Sequence, residues 1–105
     1  MSQSTTQTSL SVANEIYHQL GGNRFAVMVG GKYFAGTENS LSFKIGRNQG
    51  GISHVKIVLN ALDLYDVEFL SIRGASYKVK ATHNNIYNDM LIPIFEKETG
   101  LATSL

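Results

Sequence analysis

Strict alternation of apolar and polar residues is the feature that most constrains this chain. Between Leu41 and Gly46 the residues Leu, Phe and Ile alternate with Ser, Lys and Gly. A period of two places successive side chains on opposite faces of a β-strand, so one face of this strand is predicted to be buried. Similar runs occupy residues 54–59, 64–72 and 76–82. The sequence therefore predicts a sheet with one apolar face.

Short connections separate these runs along the chain. They favour antiparallel neighbours, because a parallel crossover needs roughly a dozen residues or more. Alternation over 25–29 and the short run 32–35 predict two further strands. The sheet is therefore expected to have four to six strands.

A helix is predicted before the strands. Val12, Ile16 and Leu20 recur every four residues and form one apolar stripe, with Ser11 as a plausible N-cap and a Gly-Gly pair as the end. The residues before it are mainly Ser, Thr and Gln, which bury too little to offset the entropy of ordering. We expect residues 1–10 to be a disordered tail.

A second helix is predicted at the other end of the chain. Apolar residues over 86–95 share one stripe, Asn84 or Asn85 is a candidate cap, and Gly100 is a natural end. Pro93 either kinks this helix or marks the first turn of a second short one. The expected fold is α+β: a single twisted antiparallel sheet with an N-terminal and a C-terminal helix on one face, in one domain over 11–105.

Basic residues alternate with the residues expected in the core. If the apolar positions of each strand face the helices, cationic neighbours face outward; on the last strand this assigns Tyr77 and Val79 to the inside. Residues 41–80 hold six Lys or Arg against three acids, although the whole chain carries only +1. The candidate nucleic-acid-binding residues are Lys44, Arg47, His54, Lys56, Lys78 and Lys80.

Such a basic sheet face could hold phosphates through charge-assisted hydrogen bonds. Alternatively, outward lysines simply keep a one-sided sheet in solution and block edge pairing. Base stacking would need exposed aromatic residues, for which Tyr33, Phe34 and Tyr87 are candidates, though each fits a core equally well.

The composition excludes several classes of protein. The chain has no cysteine, which excludes disulfides, thiolate metal sites and a Cys nucleophile and is compatible with a reducing cytoplasm. No apolar run approaches the ~20 residues of a membrane span, and the first residues lack the pattern of a signal peptide. We therefore expect a cytoplasmic protein without a membrane partner.

Acidic residues cluster once, at Asp63, Asp66 and Glu68. They could hold a hard cation in a metal-dependent enzyme. However, the lysine that typically follows an acid by two residues in a metal-dependent nuclease is absent, and pairing with lysines across strands is the simpler explanation. No catalytic constellation, metal site or cofactor motif is predicted.

The segments LSFKIGRN (41–48), LDLYDVEF (62–69) and TGLATSL (99–105) resemble a family of small proteins of phage and prophage origin. The resemblance implies a small accessory protein that acts in the cytoplasm of a bacterial host on nucleic acid or on a host factor. It transfers no functional residues. A sheet followed by a C-terminal helix is also similar in outline to the Whirly and coactivator-type single-strand-binding folds.

Two functional hypotheses follow beside the metal-dependent enzyme. The first is a non-enzymatic protein that binds single-stranded nucleic acid through the basic sheet face. The second is a protein–protein interaction module, such as an inhibitor of a host factor, a phage assembly component or a homodimer, that pairs through an edge strand or presents Tyr87 and Met90.

Overall fold

The computed structural model describes residues 2–104, with side chains from residue 10 onward. Three α-helices, one 3-10 helix and five strands follow in the order α1 α2 β1 β2 β3 β4 β5 η1 α3 within these residues. Their bounds are α1 Ser2–Leu20, α2 Gly22–Val29, β1 Lys32–Gly36, β2 Ser40–Lys44, β3 His54–Leu59, β4 Tyr65–Arg73, β5 Ser76–Ile86, η1 Asn88–Met90 and α3 Leu91–Thr99.

The strands form one antiparallel sheet in the order β1-β2-β3-β4-β5, so every strand pairs with its neighbour in sequence. The alternation predicts the buried face well: Phe43, Val55 and Phe69 lie opposite one another across β2, β3 and β4, and each is at most 1% exposed. Phe25 of α2 and Phe95 of α3 pack against this row, with ring centroids of Phe25 5.7 Å from Phe43 and 5.1 Å from Phe95. The predicted α+β fold, with its helices on one face of the sheet, is confirmed.

The strand predicted over 25–29 is wrong, because these residues form α2. Phe25 and Val29 are buried, whereas Val27, which a strand would bury beside them, is 80% exposed. Residues four apart share a face in a helix and also in a strand, so a five-residue run fits both periods. Gly30 closes the helix in the left-handed conformation, with its N–H directed to the carbonyls of Ala26 and Val27.

The helix ends also differ from the predictions. Ser11 lies inside α1 and is not an N-cap. Asn84 and Asn85 belong to β5, because the last strand continues to Ile86 before η1 and α3 begin. Pro93 falls in the first turn of the short helix α3, as one of its two predicted roles requires, and Gly100 ends that helix. The backbone of residues 2–10 belongs to α1. Because side chains are described only from residue 10 onward, the predicted disorder of residues 1–10 stays a prediction.

Candidate phosphate-binding groove

The six candidate residues do not share one face of the sheet. Lys56 lies opposite Ser42 and Glu68, and Lys44 lies opposite His54. These positions alternate with the buried residues, so Lys44, His54 and Lys56 project from the outer face, which is the face opposite the helices. For these three residues the predicted outward direction is correct.

The orientation predicted for the last strand is wrong. Phe69 pairs with Ala81 but the next residue, Leu70, pairs with Val79, so Lys80 is an extra residue and forms a β-bulge. The extra residue reverses the alternation over the rest of the strand. Tyr77 and Val79 therefore lie on the outer face and are 68% and 44% exposed.

Lys78 consequently projects from the side of the sheet that carries the helices. Its partner across the strands is Ser71, which lies two residues after the buried Phe69 and therefore on the same face of β4. The β4–β5 hairpin extends past the first residue of β3, because His54 pairs with Leu70 and no β3 residue pairs with residues 71–73. The inner side of this hairpin is therefore exposed, as Arg73 and Lys78 are.

Two adjoining clefts bring the basic residues together at this end of the sheet. One has a volume of ≈ 430 Å³ and contains Lys44, Arg47 and Arg73 in its lining. The other has a volume of ≈ 530 Å³, and its lining includes Lys78 and Lys80 beside Arg73. The clefts share Gly51, Ser71 and Arg73. We call the two clefts together the basic groove.

The basic groove holds five of the nine Lys and Arg residues of the chain. Its lining includes no Asp or Glu among the residues that the structure describes. The salt bridge found over residues 10–104 joins His83 and Glu98, so none of the five cations is ion-paired there. The groove is thus a local concentration of uncompensated positive charge in a nearly neutral protein.

The β2–β3 loop, residues 45–53, forms one wall of the groove and is fixed by hydrogen bonds. The side-chain amide of Asn48 donates to the carbonyls of Gly46 at 2.8 Å and Ile52 at 2.7 Å, and its oxygen accepts from the Ile52 N–H at 3.1 Å. Ser53, the residue before β3, is hydrogen-bonded to β4. Its N–H donates to Leu70 O, and its hydroxyl accepts from Ile72 N–H at 2.8 Å.

Close packing holds the same loop against the helices. A Cβ on Gly50 would collide with the carbonyl oxygen of Glu98 in α3, so only glycine fits there. The Gly46 N–H donates to Val29 O at the end of α2. On the open side of the loop, a Cβ on Gly51 would lie 3.9 Å from Lys80 Nζ, which places this ammonium directly over the loop. The basic groove is therefore built on a rigid support.

His54 lies beside the groove rather than in it. Its Nδ1 is 2.7 Å from the hydroxyl of Ser53, which lines the groove. Burial lowers the pKa of His54 below its ordinary value, and the nearby charge of Lys44 lowers it further. Protonation of His54 is thereby disfavoured near neutral pH, so this ring adds little positive charge to the groove there.

Arg73 lines both clefts but is not among the six residues predicted from the sequence. Its position beside Gly74 indicated only a turn. Lys56, in contrast, lies in neither cleft. Of the predicted residues, Lys44, Arg47, Lys78 and Lys80 come together.

The acidic cluster has a structural explanation. The Asp66 carboxylate accepts hydrogen bonds from the Asn60 side chain and from the Asn85 backbone N–H, each at 3.0 Å. Glu68 faces Lys56 across the outer face. Within the described part of the chain, no group of three His, Asp or Glu residues is arranged to hold a metal ion.

Among the described helices, none is long and apolar enough to cross a membrane. Comparison with known proteins finds no matching family model, no similar curated protein and no similar solved structure. The resemblance to phage and prophage proteins therefore stays a prediction, as does the cytoplasmic location.

Proposed function

We propose that this protein is a non-enzymatic accessory protein that binds nucleic acid through the basic groove. The observation that carries the proposal is the convergence of Lys44, Arg47, Arg73, Lys78 and Lys80 on two adjoining clefts whose described lining has no carboxylate. A chain of phosphates carries repeated negative charges that complement these five cations. The proposal assigns no catalytic residue and no cofactor.

Electrostatics favours an anionic ligand at this site. Five cations that share a small region repel one another, and no ion pair relieves that repulsion in residues 10–104. Bound phosphates reduce this repulsion between the cations. In addition, the counterions condensed on a nucleic acid are released when it binds. The guanidinium groups of Arg47 and Arg73 can each contact two phosphate oxygens, whereas the lysines act as point charges.

The layout favours a chain of phosphates over a single anion. The cations are divided between two clefts that share Arg73 and Gly51, so they are arranged along a path instead of around one point. Because phosphate contacts position a nucleic acid without reading its sequence, we expect little dependence on base sequence from the groove itself.

The test is binding of a fluorescently labelled single-stranded oligonucleotide of about 15 nucleotides, measured by anisotropy at several salt concentrations. For single strands the slope of log K against log salt is about −0.7 for each phosphate neutralised, so five contacts give about −3.5. We therefore expect affinity to fall about 100-fold between ~50 and ~200 mM salt.

The variant Lys56→Gln is the control for this titration. It removes one exposed positive charge that lies outside the groove. This variant should keep the slope of the unmodified protein. Absence of binding at about 50 mM salt, or a slope near zero, would overturn the proposed function.

The second hypothesis, a protein–protein interaction module, has its own support. β5 is an edge strand of 11 residues, and an exposed edge can pair with another chain. Tyr87 and Met90, which follow it, are 65% and 44% exposed. An oligonucleotide that fails to bind, together with a dimer in light scattering, would favour this function instead.

A further inference from the structure

An apolar patch covers the outer side of the β4–β5 hairpin. It consists of two cross-strand pairs, Leu70 with Val79 and Ile72 with Tyr77. Tyr77 is 68% exposed, Val79 44% and Ile72 37%. No described element covers these side chains, because the helices pack on the other face of the sheet. We call these four residues the hairpin patch.

The hairpin patch is continuous with the basic groove. Tyr77 lines the same cleft as Lys78 and Lys80, and Ile72 lines the same cleft as Arg47. Neighbours along a strand project to opposite sides and are only about 3.3 Å apart along it. The ring of Tyr77 and the ammonium group of Lys78 therefore flank the same short stretch of backbone, one on each side of the hairpin.

This arrangement separates two chemistries at one edge of the molecule. Arg73 and Lys78 lie on the inner side of the hairpin, and an apolar surface with one aromatic ring lies on the outer side. A nucleotide unit carries the matching pair, a charged phosphate and a flat apolar base. Tyr33 and Tyr87 are also exposed, but neither lines the groove. Phe34 is only partly buried and stacks on the core residue Phe43, with ring centroids 4.9 Å apart.

We propose that the hairpin patch stacks the bases of a single strand whose phosphates lie in the basic groove, with Tyr77 as the principal stacking residue. This inference rests on the proposed function and specifies its ligand as unpaired nucleic acid. In a duplex the faces of the bases are already stacked on one another and are not available to Tyr77. In a single strand every base offers a π-face, so stacking adds affinity without requiring a particular sequence.

The experiment compares a single-stranded oligonucleotide with an abasic oligonucleotide of the same length, which keeps the phosphates and lacks the bases. We expect Tyr77→Ala to weaken binding of the first roughly tenfold or more and to leave binding of the second unchanged. Tyr77→Phe should restore most of the affinity, because it keeps the ring. The control Tyr87→Ala removes an exposed ring elsewhere and should have no effect.

A direct spectroscopic readout is available because the chain contains no tryptophan. The variant Tyr77→Trp places a single indole in the patch. Its fluorescence should be quenched by the oligonucleotide that carries bases and should stay unchanged with the abasic one.

The outcomes separate this inference from the proposed function. Equal binding of the normal and abasic strands, with no effect of Tyr77→Ala, would overturn base stacking and leave phosphate binding intact. Failure of both strands to bind would overturn the proposed function itself. A dimer that Tyr77→Ala converts to a monomer would show that a second copy of the chain occupies the patch, and would also overturn the inference.

Discussion

Replacing Arg73, Lys78 and Lys80 together by glutamine should nearly abolish binding of a single-stranded oligonucleotide. Each phosphate contact with a slope of about −0.7 is worth about eightfold in affinity at ~50 mM salt, so three lost contacts lower the affinity about 500-fold. The slope of log K against log salt should become shallower by about 2. Anisotropy titrations of the variant and the unmodified protein measure both quantities.

The matched control removes the same charge from other exposed positions. The triple variant Arg24→Gln, Lys56→Gln, Lys97→Gln neutralises three cations that line neither cleft. If general attraction to the positive protein were responsible for binding, both triple variants would lose affinity equally, which would contradict a localised groove. Without ligand, the groove variant should be at least as stable as the unmodified protein, because it loses only like-charge repulsion.

Replacing Asn48 by alanine should have the largest effect on stability among substitutions in the groove wall. The change removes three hydrogen bonds that close the β2–β3 loop. It also leaves the partly buried carbonyls of Gly46 and Ile52 without this donor. At roughly 1 kcal/mol for each hydrogen bond, the free energy of unfolding should fall by about 2–3 kcal/mol. Urea denaturation of the variant and the unmodified protein measures this loss.

Binding should weaken in the same variant although no charge is lost. Arg47 and Gly51 belong to the loop that Asn48 fixes, so the loop would have to be ordered when the ligand binds. Asn84→Ala is the control, because Asn84 is exposed on β5, and its effect should stay within about 0.5 kcal/mol. A fully stable Asn48→Ala protein with unchanged affinity would show that the loop does not depend on this side chain.

Much of the fold follows from local patterns in the sequence. Alternation identifies the buried residues of β2, β3 and β4, and glycine at position 100 marks the end of α3. Short segments are ambiguous because Phe25 and Val29 fit both a strand and a helix. The contacts that decide for α2 come from Phe43 and Phe95, which are distant in sequence.

The candidate site was harder to predict because it depends on one inserted residue. The bulge at Lys80 reverses the direction of Tyr77 and Lys78, and alternation alone gives no sign of it. The approach of the β2–β3 loop to the hairpin is likewise a tertiary effect, fixed by Ser53 and by packing on α3. These two features move the basic residues from a sheet face to the end of the sheet.

The most direct test of the central claim is a map of backbone amide chemical shifts during titration with a single-stranded oligonucleotide. The claim is that phosphates bind at the basic groove and not on the middle of the outer face. We expect the largest shift changes in residues 45–53 and 71–80, with little change at Lys56 and its neighbours Ser42 and Glu68. Changes centred on Lys56 instead, with residues 71–80 unaffected, would contradict the claim.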